Sequence, residues 1–244
     1  MSNIETVKSF ADSMKYEEEK GAGLDLAKGR YPFVTISREA GAGGHTLAEA
    51  LIEEMKKEKD PLFQGWQMFD QELCKKVCEE PGLKVTLNFL LSFEYRSQIE
   101  DMMAEMIVGN SPQDIIFKKI FQIIRNLAGY GKVILVGRGS SCLTRELPQG
   151  IHVRLVAPLP IRIKRIMKVK NFTEAKAKDF IHEQDKSRQR LVKTFFNCDI
   201  ENPLLYDIVW NTARVPTEEI ARLLLGMIKE RAKTLELKIQ PGPR

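Results

Sequence analysis

From residue 31 onward the chain alternates short β-prone apolar runs with longer segments whose apolar residues recur every three or four positions. YPFVTIS is the first run. It closes in AGAGG, and the LAEALIEEMKKE that follows sets Leu47, Ala48, Leu51, Ile52 and Met55 on one helical face. GWQMFD is the second run and leads into a helix predicted over about 71–80, which PG at 81–82 ends. Residues 85–130 carry Ile, Leu, Met and Phe at helical spacing, with Ser111 as a predicted N-cap before Pro112. KVILVGRG and IHVRLVAP read as buried strands, and NPLLYDIVWNT as a further strand with a polar end. Thr217, Glu218 and Glu219 then open a final helix on Ile220, Leu223, Leu224, Met227 and Ile228. Alternating β runs and helices imply parallel strands joined by helical crossovers. The prediction is a three-layer α/β domain, a parallel sheet of about five strands with helices on both faces. Ligands of such sheets sit at the carboxyl ends of the strands, here Ser37–Thr46, Asp70, Gly137–Ser141, Ala157–Pro160 and Asn211–Arg214.

Composition narrows the class. With 244 residues, 43% hydrophobic and 29% charged, the chain can build a sizeable core, and whole-chain disorder is excluded. No apolar run reaches the roughly 18 residues of a membrane span, and the first residues lack a secretory signal's apolar core, so a cytoplasmic protein is expected. Cys74, Cys78, Cys142 and Cys198 read as reduced thiols. Residues 1–30 are polar and read as an N-terminal extension with one short helix around Ile4–Tyr16, and 238–244 as a C-terminal tail.

The net charge of +5 is unevenly distributed. Residues 151–195 hold twelve Lys or Arg against four Asp or Glu, a net of +8 that leaves −3 for the remainder. Such a surface attracts phosphate, whether on a nucleotide, a nucleic acid or a lipid headgroup.

SREAGAGGHT has the composition of a loop that wraps a phosphate: Gly41, Gly43 and Gly44 permit inward-pointing amides, and the following helix adds its positive end. The signature G-x-x-x-x-G-K-[ST] is not met, because Gly44, His45 and Thr46 follow Gly43 where a lysine is expected. The same turn also serves close helix-to-sheet packing. His45 is a partial cationic substitute, and Arg38 the stronger permanent charge.

Taken together, ISREAGAGGHTLAEAL, FDQEL, ILVGRG, HVRLVAPLPIRIKRIM, IHEQDKSRQRLVKTFF and NPLLYDIVWNT resemble the cytidylate kinase-like family, a branch of the P-loop nucleoside monophosphate kinases. The resemblance runs from about Tyr31 to Leu225. It implies a P-loop kinase domain over 31–237, with a helical acceptor-binding insertion at about 71–130 and a lid at about 160–197. It implies transfer of the ATP γ-phosphoryl group to a nucleoside monophosphate, CMP or dCMP, with Mg²⁺ as the metal. Arginine suits this chemistry because its planar fork binds phosphate through paired hydrogen bonds.

By that resemblance Gly41, Ala42, Gly43, Gly44, His45 and Thr46 hold the ATP phosphates together with Arg165, and Thr46 supplies the Mg²⁺ hydroxyl. Arg38, His45, Arg162 and Arg188 are the expected catalytic residues, Arg162 and Arg165 lying where the lid begins. Asp70, Arg138, Asp185 and Arg188 are the expected acceptor-nucleotide residues, with Asp185 either orienting Arg188 three residues on or contacting the acceptor. Gly139 replaces the acid of the family's glycine-arginine-aspartate turn, and Ile181 and His182 replace its Arg-Asp pair. Asn211 and Thr212 either contact adenine or ribose or simply form a turn. Trp66, Phe69, Tyr206 and Trp210 read as core, as do Met102, Met103 and Met106 on a packing helix, and neither His152 nor His182 has a second metal ligand at useful spacing. Two further classes stay open: a nucleotide-binding regulatory module with a degenerate loop, and a nucleic-acid binder, which has the charge but no reading motif.

Overall fold

The computed structural model describes residues 31–70 and 112–239. Predictions that fall on residues 1–30, 71–111 and 240–244, including the short N-terminal helix, the helix over 71–80, Cys74, Cys78, the three methionines and the Ser111 cap, lie outside the described residues. Five parallel strands form one sheet: β1 (Phe33–Arg38), β2 (Gln67–Phe69), β3 (Val133–Val136), β4 (Gly150–Val156) and β5 (Ile208–Asn211). Their order is β2-β3-β1-β4-β5, with Val34 opposite Ile134 on one side and Ile151 on the other. The connection from β1 runs to the edge strand β2, the chain returns to β3, and the connection from β3 then crosses β1 to β4. The links leaving β1 and β3 thus run in opposite directions, and the crevice of an open α/β sheet lies at their carboxyl ends.

Helix α1 (Gly44–Lys57) follows β1, and α2 (Pro112–Tyr130) precedes β3. A short α3 (Ser140–Leu143) follows β3. The basic segment forms two helices, α4 (Leu159–Lys170) and α5 (Glu174–Phe196), and α6 (Thr217–Ile239) closes the domain. Alternation along β1 sorts the layers. Val34 and Ile36 share a core with Leu47, Leu51 and Met55 of α1 and Ile220, Leu224 and Ile228 of α6, all at most 2% exposed. Phe33, Thr35 and Ser37 point the other way, toward the face that α2 and α3 cover. Helix α2 is buried there from Ile120 to Ala128 along its inner side, so the end of the expected 71–130 insertion is part of the sheet domain.

The sheet and helices match the predicted order, with three local corrections. Only the second half of NPLLYDIVWNT is a strand. Pro203 has no amide to give a ladder, and the Asn202 side chain accepts from the Leu204 amide at 3.0 Å, so Pro203–Leu205 turns as a single 3₁₀ segment. Leu223, expected on the buried face of α6, is 51% exposed, and that helix continues beyond residue 237. Of the aromatics read as core, Trp66 and Phe69 are buried, whereas Trp210 and Tyr206 are half-buried. Among the described residues no helix is long and apolar enough to cross a membrane. Cys142 and Cys198 are free thiols packed in one cluster with Val192 and Ile200, and burial, with Cys198 beside it, pushes the Cys142 thiol up to about 12.

His152 of β4 is a titratable group in the interior. Its Nδ1 lies 2.9 Å from Thr35 Oγ1, and its ring meets Phe33 edge to face. Burial outweighs the nearby Asp207 carboxylate and lowers its pKa from 6.5 to about 4. Unfolding below pH 6.5 therefore lets the ring take up a proton, so this contribution is complete above pH 6.5 and is lost as pH falls toward 4. Urea unfolding should show about 2 kcal/mol less stability at pH 5 than at pH 7 from this ring alone, and His152→Gln should remove that part of the slope.

Candidate functional site

The loop after β1 is shaped by its carbonyls. Ala40 O accepts from Arg162 Nη1 at 3.3 Å, Gly41 O from Arg165 Nη1 at 3.3 Å and Ala42 O from Thr212 Oγ1 at 3.0 Å. With three successive carbonyls held from behind, the amides of Gly41, Gly43, Gly44, His45 and Thr46 find no acceptor among the described residues. Gly41 and Gly43 have φ of +80° and +88°, which allow this winding without a Cβ penalty. Gly43 is the N-cap of α1 and supplies no side-chain cap, so the helix's first amides stay open at its positive end. The arrangement is an anion cradle in chemistry as well as in sequence.

Asp185 locks the cradle in place. One carboxylate oxygen accepts from the Ala40 amide at 2.7 Å and from Arg188 Nη1 at 3.1 Å, while the other takes Arg162 Nη1 at 2.6 Å. Arg162 also donates from Nε to Ala157 O at 2.9 Å and pairs with Glu39 at 3.4 Å. Arg165 is engaged in the same way, its second nitrogen 2.7 Å from Thr212 O.

Arg162 is only 9% exposed and faces the back of the loop, whereas Arg165 binds a loop carbonyl and Thr212 and also lines the cavity beside the loop. Asp185 is paired with Arg188 three residues on, and the Asn211 Oδ1 accepts from the Ala213 amide in the turn after β5. Thr212 is a loop brace.

The remaining predicted residues do converge. A cavity of about 760 Å³ is bounded by the loop, His45, Thr46 and the start of α6. A second, of about 400 Å³, is bounded by the turn after β3, with Arg138, and by the inner face of α5. Arg38 and Arg188 border both. His45 Nε2 lies 3.1 Å from Asp70 Oδ2, which brings the end of β2 to the first turn of α1. Burial lowers the pKa of Arg38 to about 10, and that of Arg188 is also lowered, against the pull of Asp185; both stay cationic at neutral pH.

Gly137, Arg138 and Gly139 all have left-handed backbones, with φ of +84°, +58° and +66°. A Cβ on Gly139 would collide with the Phe196 ring, which explains why this turn has no acid at that position. Ile181 is likewise unavailable to a ligand, being 2% exposed in a lid core with Ala40, Ile163 and Ile166.

Sequence reasoning missed Glu39, whose carboxylate accepts from the Ala157 amide at 2.9 Å, and Arg154, 5% exposed, which donates to Ser37 Oγ at 3.2 Å. Arg154 had a signal: it is the one cation within the apolar strand run IHVRLVAP, where a buried charge needs a reason.

The family model of the cytidylate kinase-like family matches residues 33–214, which include the loop, both arginine-bearing turns and the lid. The chain belongs to that family. Within the cytidylate kinase-like family its curated relatives are distant. A cytidylate kinase of Methanosarcina barkeri is 22% identical over 75% of this chain and 91% of its own length. One from Methanocaldococcus jannaschii is 26% identical over 42% of this chain and 58% of its own. A solved structure of an uncharacterized protein from Eubacterium ventriosum superposes with a TM-score of 0.63 at 20% identity, covering 82% of this chain and 98% of that one, and so shares the fold.

Two substitutions test this account of the site. Asp185→Ala leaves the nearly buried Arg162 with only its longer pair to Glu39 and takes the carboxylate from Arg188, and should lower unfolding stability by about 3 kcal/mol in urea melts. Gly139→Asp forces a Cβ and a left-handed non-glycine backbone against Phe196, and should cost about 2 kcal/mol by the same measurement.

Proposed function

We propose that the protein transfers the γ-phosphoryl group of ATP to a nucleoside monophosphate, with CMP or dCMP as the expected acceptors. The observation that carries this reading is that two cavities meet at two arginines, Arg38 and Arg188. A group passing from one cavity to the other crosses between these fixed cations, which is where a transferring phosphoryl develops charge on its equatorial oxygens.

In this reading the larger cavity takes ATP, its phosphates on the open amides of residues 43–46, with the start of α6 bordering the nucleoside end. The smaller cavity takes the acceptor, with Arg138 as its phosphate ligand. Arg188, held by Asp185, serves both. Closing the lid excludes water and so keeps the phosphoryl group for the acceptor.

Mg²⁺ fits the donor set. Thr46 offers a hydroxyl in the first turn of α1, next to His45, whose ring is bonded to the Asp70 carboxylate. The ion binds mainly through phosphates and water, and needs no dense cluster of protein ligands. Thr46 would hold it, and its chemistry here is neutralisation of charge on the donor phosphates.

The departure at Gly44 favours a second reading, a nucleotide-binding module without turnover. ADP formation from ATP and Mg²⁺, measured with CMP, dCMP, UMP and AMP in turn, separates the two. On the kinase reading at least one acceptor stimulates turnover. Arg188→Ala should then lower it 100- to 1000-fold, and Arg138→Ala should raise the acceptor KM at least tenfold. A protein that ATP stabilises thermally but that turns over none of the four acceptors is the module.

A further inference from the structure

The phosphate-loop signature can be counted against the geometry. With Gly43 as its second glycine, the first glycine of G-x-x-x-x-G-K falls on Arg38 and the lysine on Gly44. The glycine and the cation have exchanged ends of the loop.

In the structure these two positions touch. A Cβ placed on Gly44 would lie 2.8 Å from Arg38 Cγ and 3.1 Å from its Cδ. A Cβ on Gly137 would run into Arg38 Nη1. The Arg38 side chain therefore leaves β1, crosses the first residue of α1 and ends over the turn after β3, in a trench that exists because residues 44 and 137 are glycines. Its guanidinium has no hydrogen-bond partner among the described residues. By contrast, Arg162, Arg165 and Arg188 are bonded to loop carbonyls, Thr212 or Asp185. His45 is exposed and engaged with Asp70.

We propose that Arg38 performs the task of the absent loop lysine, reaching from β1 across Gly44 to bind the terminal phosphates of the donor triphosphate. The proposal rests on the phosphoryl-transfer reading and names the residue that makes the altered loop work. A lysine rooted at residue 44 would enter from the helix start. The arginine enters from the strand side instead, and its fork reaches the border of both cavities, so one planar cation contacts the γ-phosphoryl group from the acceptor side as well. The invariant task is a fixed positive charge above the amide cradle, and the exchange preserves it while moving its anchor.

The test uses the full chain with ATP, ADP and AMP as titrants and turnover as a second readout. Arg38→Gln keeps much of the side chain's length and removes its charge. It should weaken ATP binding at least tenfold while leaving AMP binding within twofold, and reduce turnover at least 100-fold. Gly44→Ala is the independent variant. Its helical position favours alanine, so melting temperature should hold or rise, yet the new Cβ displaces Arg38, and turnover should fall at least tenfold. Arg38→Ala with Gly44→Lys should recover at least tenfold over Arg38→Ala alone, since the cleared trench admits a lysine. The proposal is overturned if Arg38→Gln keeps ATP affinity and turnover within threefold, if it weakens ATP and AMP alike, or if Gly44→Ala is fully active. Absence of turnover in the unaltered protein would overturn the kinase reading, leaving the ATP-to-AMP affinity comparison to judge Arg38 by itself.

Discussion

A single carboxylate, Asp185, fixes the relation between the glycine-rich loop and the helical hairpin of α4 and α5. It takes a backbone amide from the loop and one guanidinium from each lid helix, Arg162 of α4 and Arg188 of α5. Removing any one partner leaves charge stranded in a half-buried setting, which is far costlier than losing an exposed ion pair. The consequence reaches beyond stability. The carbonyls of residues 40–42 face backward because Arg162, Arg165 and Thr212 hold them, and the amides of Gly41 and of residues 43–46 are left open beside them. Arg188 points at the junction of the two cavities because Asp185 restrains it.

The central strands β1, β3 and β4 were legible because each is a short apolar run buried on both faces and followed within a few residues by glycine or proline, whereas the edge strands β2 and β5 are only partly buried and end at Asp70 and Asn211. What the sequence could not supply was direction. Arg162 and Arg165 lie at the start of the lid, and a guanidinium there binds a nucleotide phosphate or a loop carbonyl with equal chemical ease. The approach of α4 to residues 40 and 41 puts both guanidiniums on loop carbonyls, with Arg165 also bordering the larger cavity. The same holds for Gly139, where the missing acid is explained by Phe196, a distant residue whose ring occupies the space. Arg154 was readable in principle, as a cation embedded in a strand of apolar residues, but its partner Ser37 comes from another strand and no periodicity announces it. The NPLL segment was misread because apolar content was counted before the proline and asparagine that turn it.

The family assignment and the geometry constrain each other. Membership holds over residues 33–214, while the altered loop, the acid-free turn and the buried Ile181 are departures of this chain from the pattern expected of the family. The departures are coherent. Gly44 is small where Arg38 passes, Gly139 is small where Phe196 packs, and Ile181 is apolar where Ala40 and Ile163 meet it.

The lid's apolar interior has one member that does not belong to the lid. Ala40 of the loop packs among Ile163, Ile166, Ala177 and Ile181. A hairpin that shares its interior with the cradle is not a free flap hinged at its base: swinging away whole would open that shared interior to water and pull on the loop's own backbone. The far tip, around Val169 and Asn171, lies outside that shared interior: its side chains are solvated and the chain reverses through a left-handed residue. The root of the hairpin is thereby part of the wall beside the larger cavity, and displacing it would displace the loop with it.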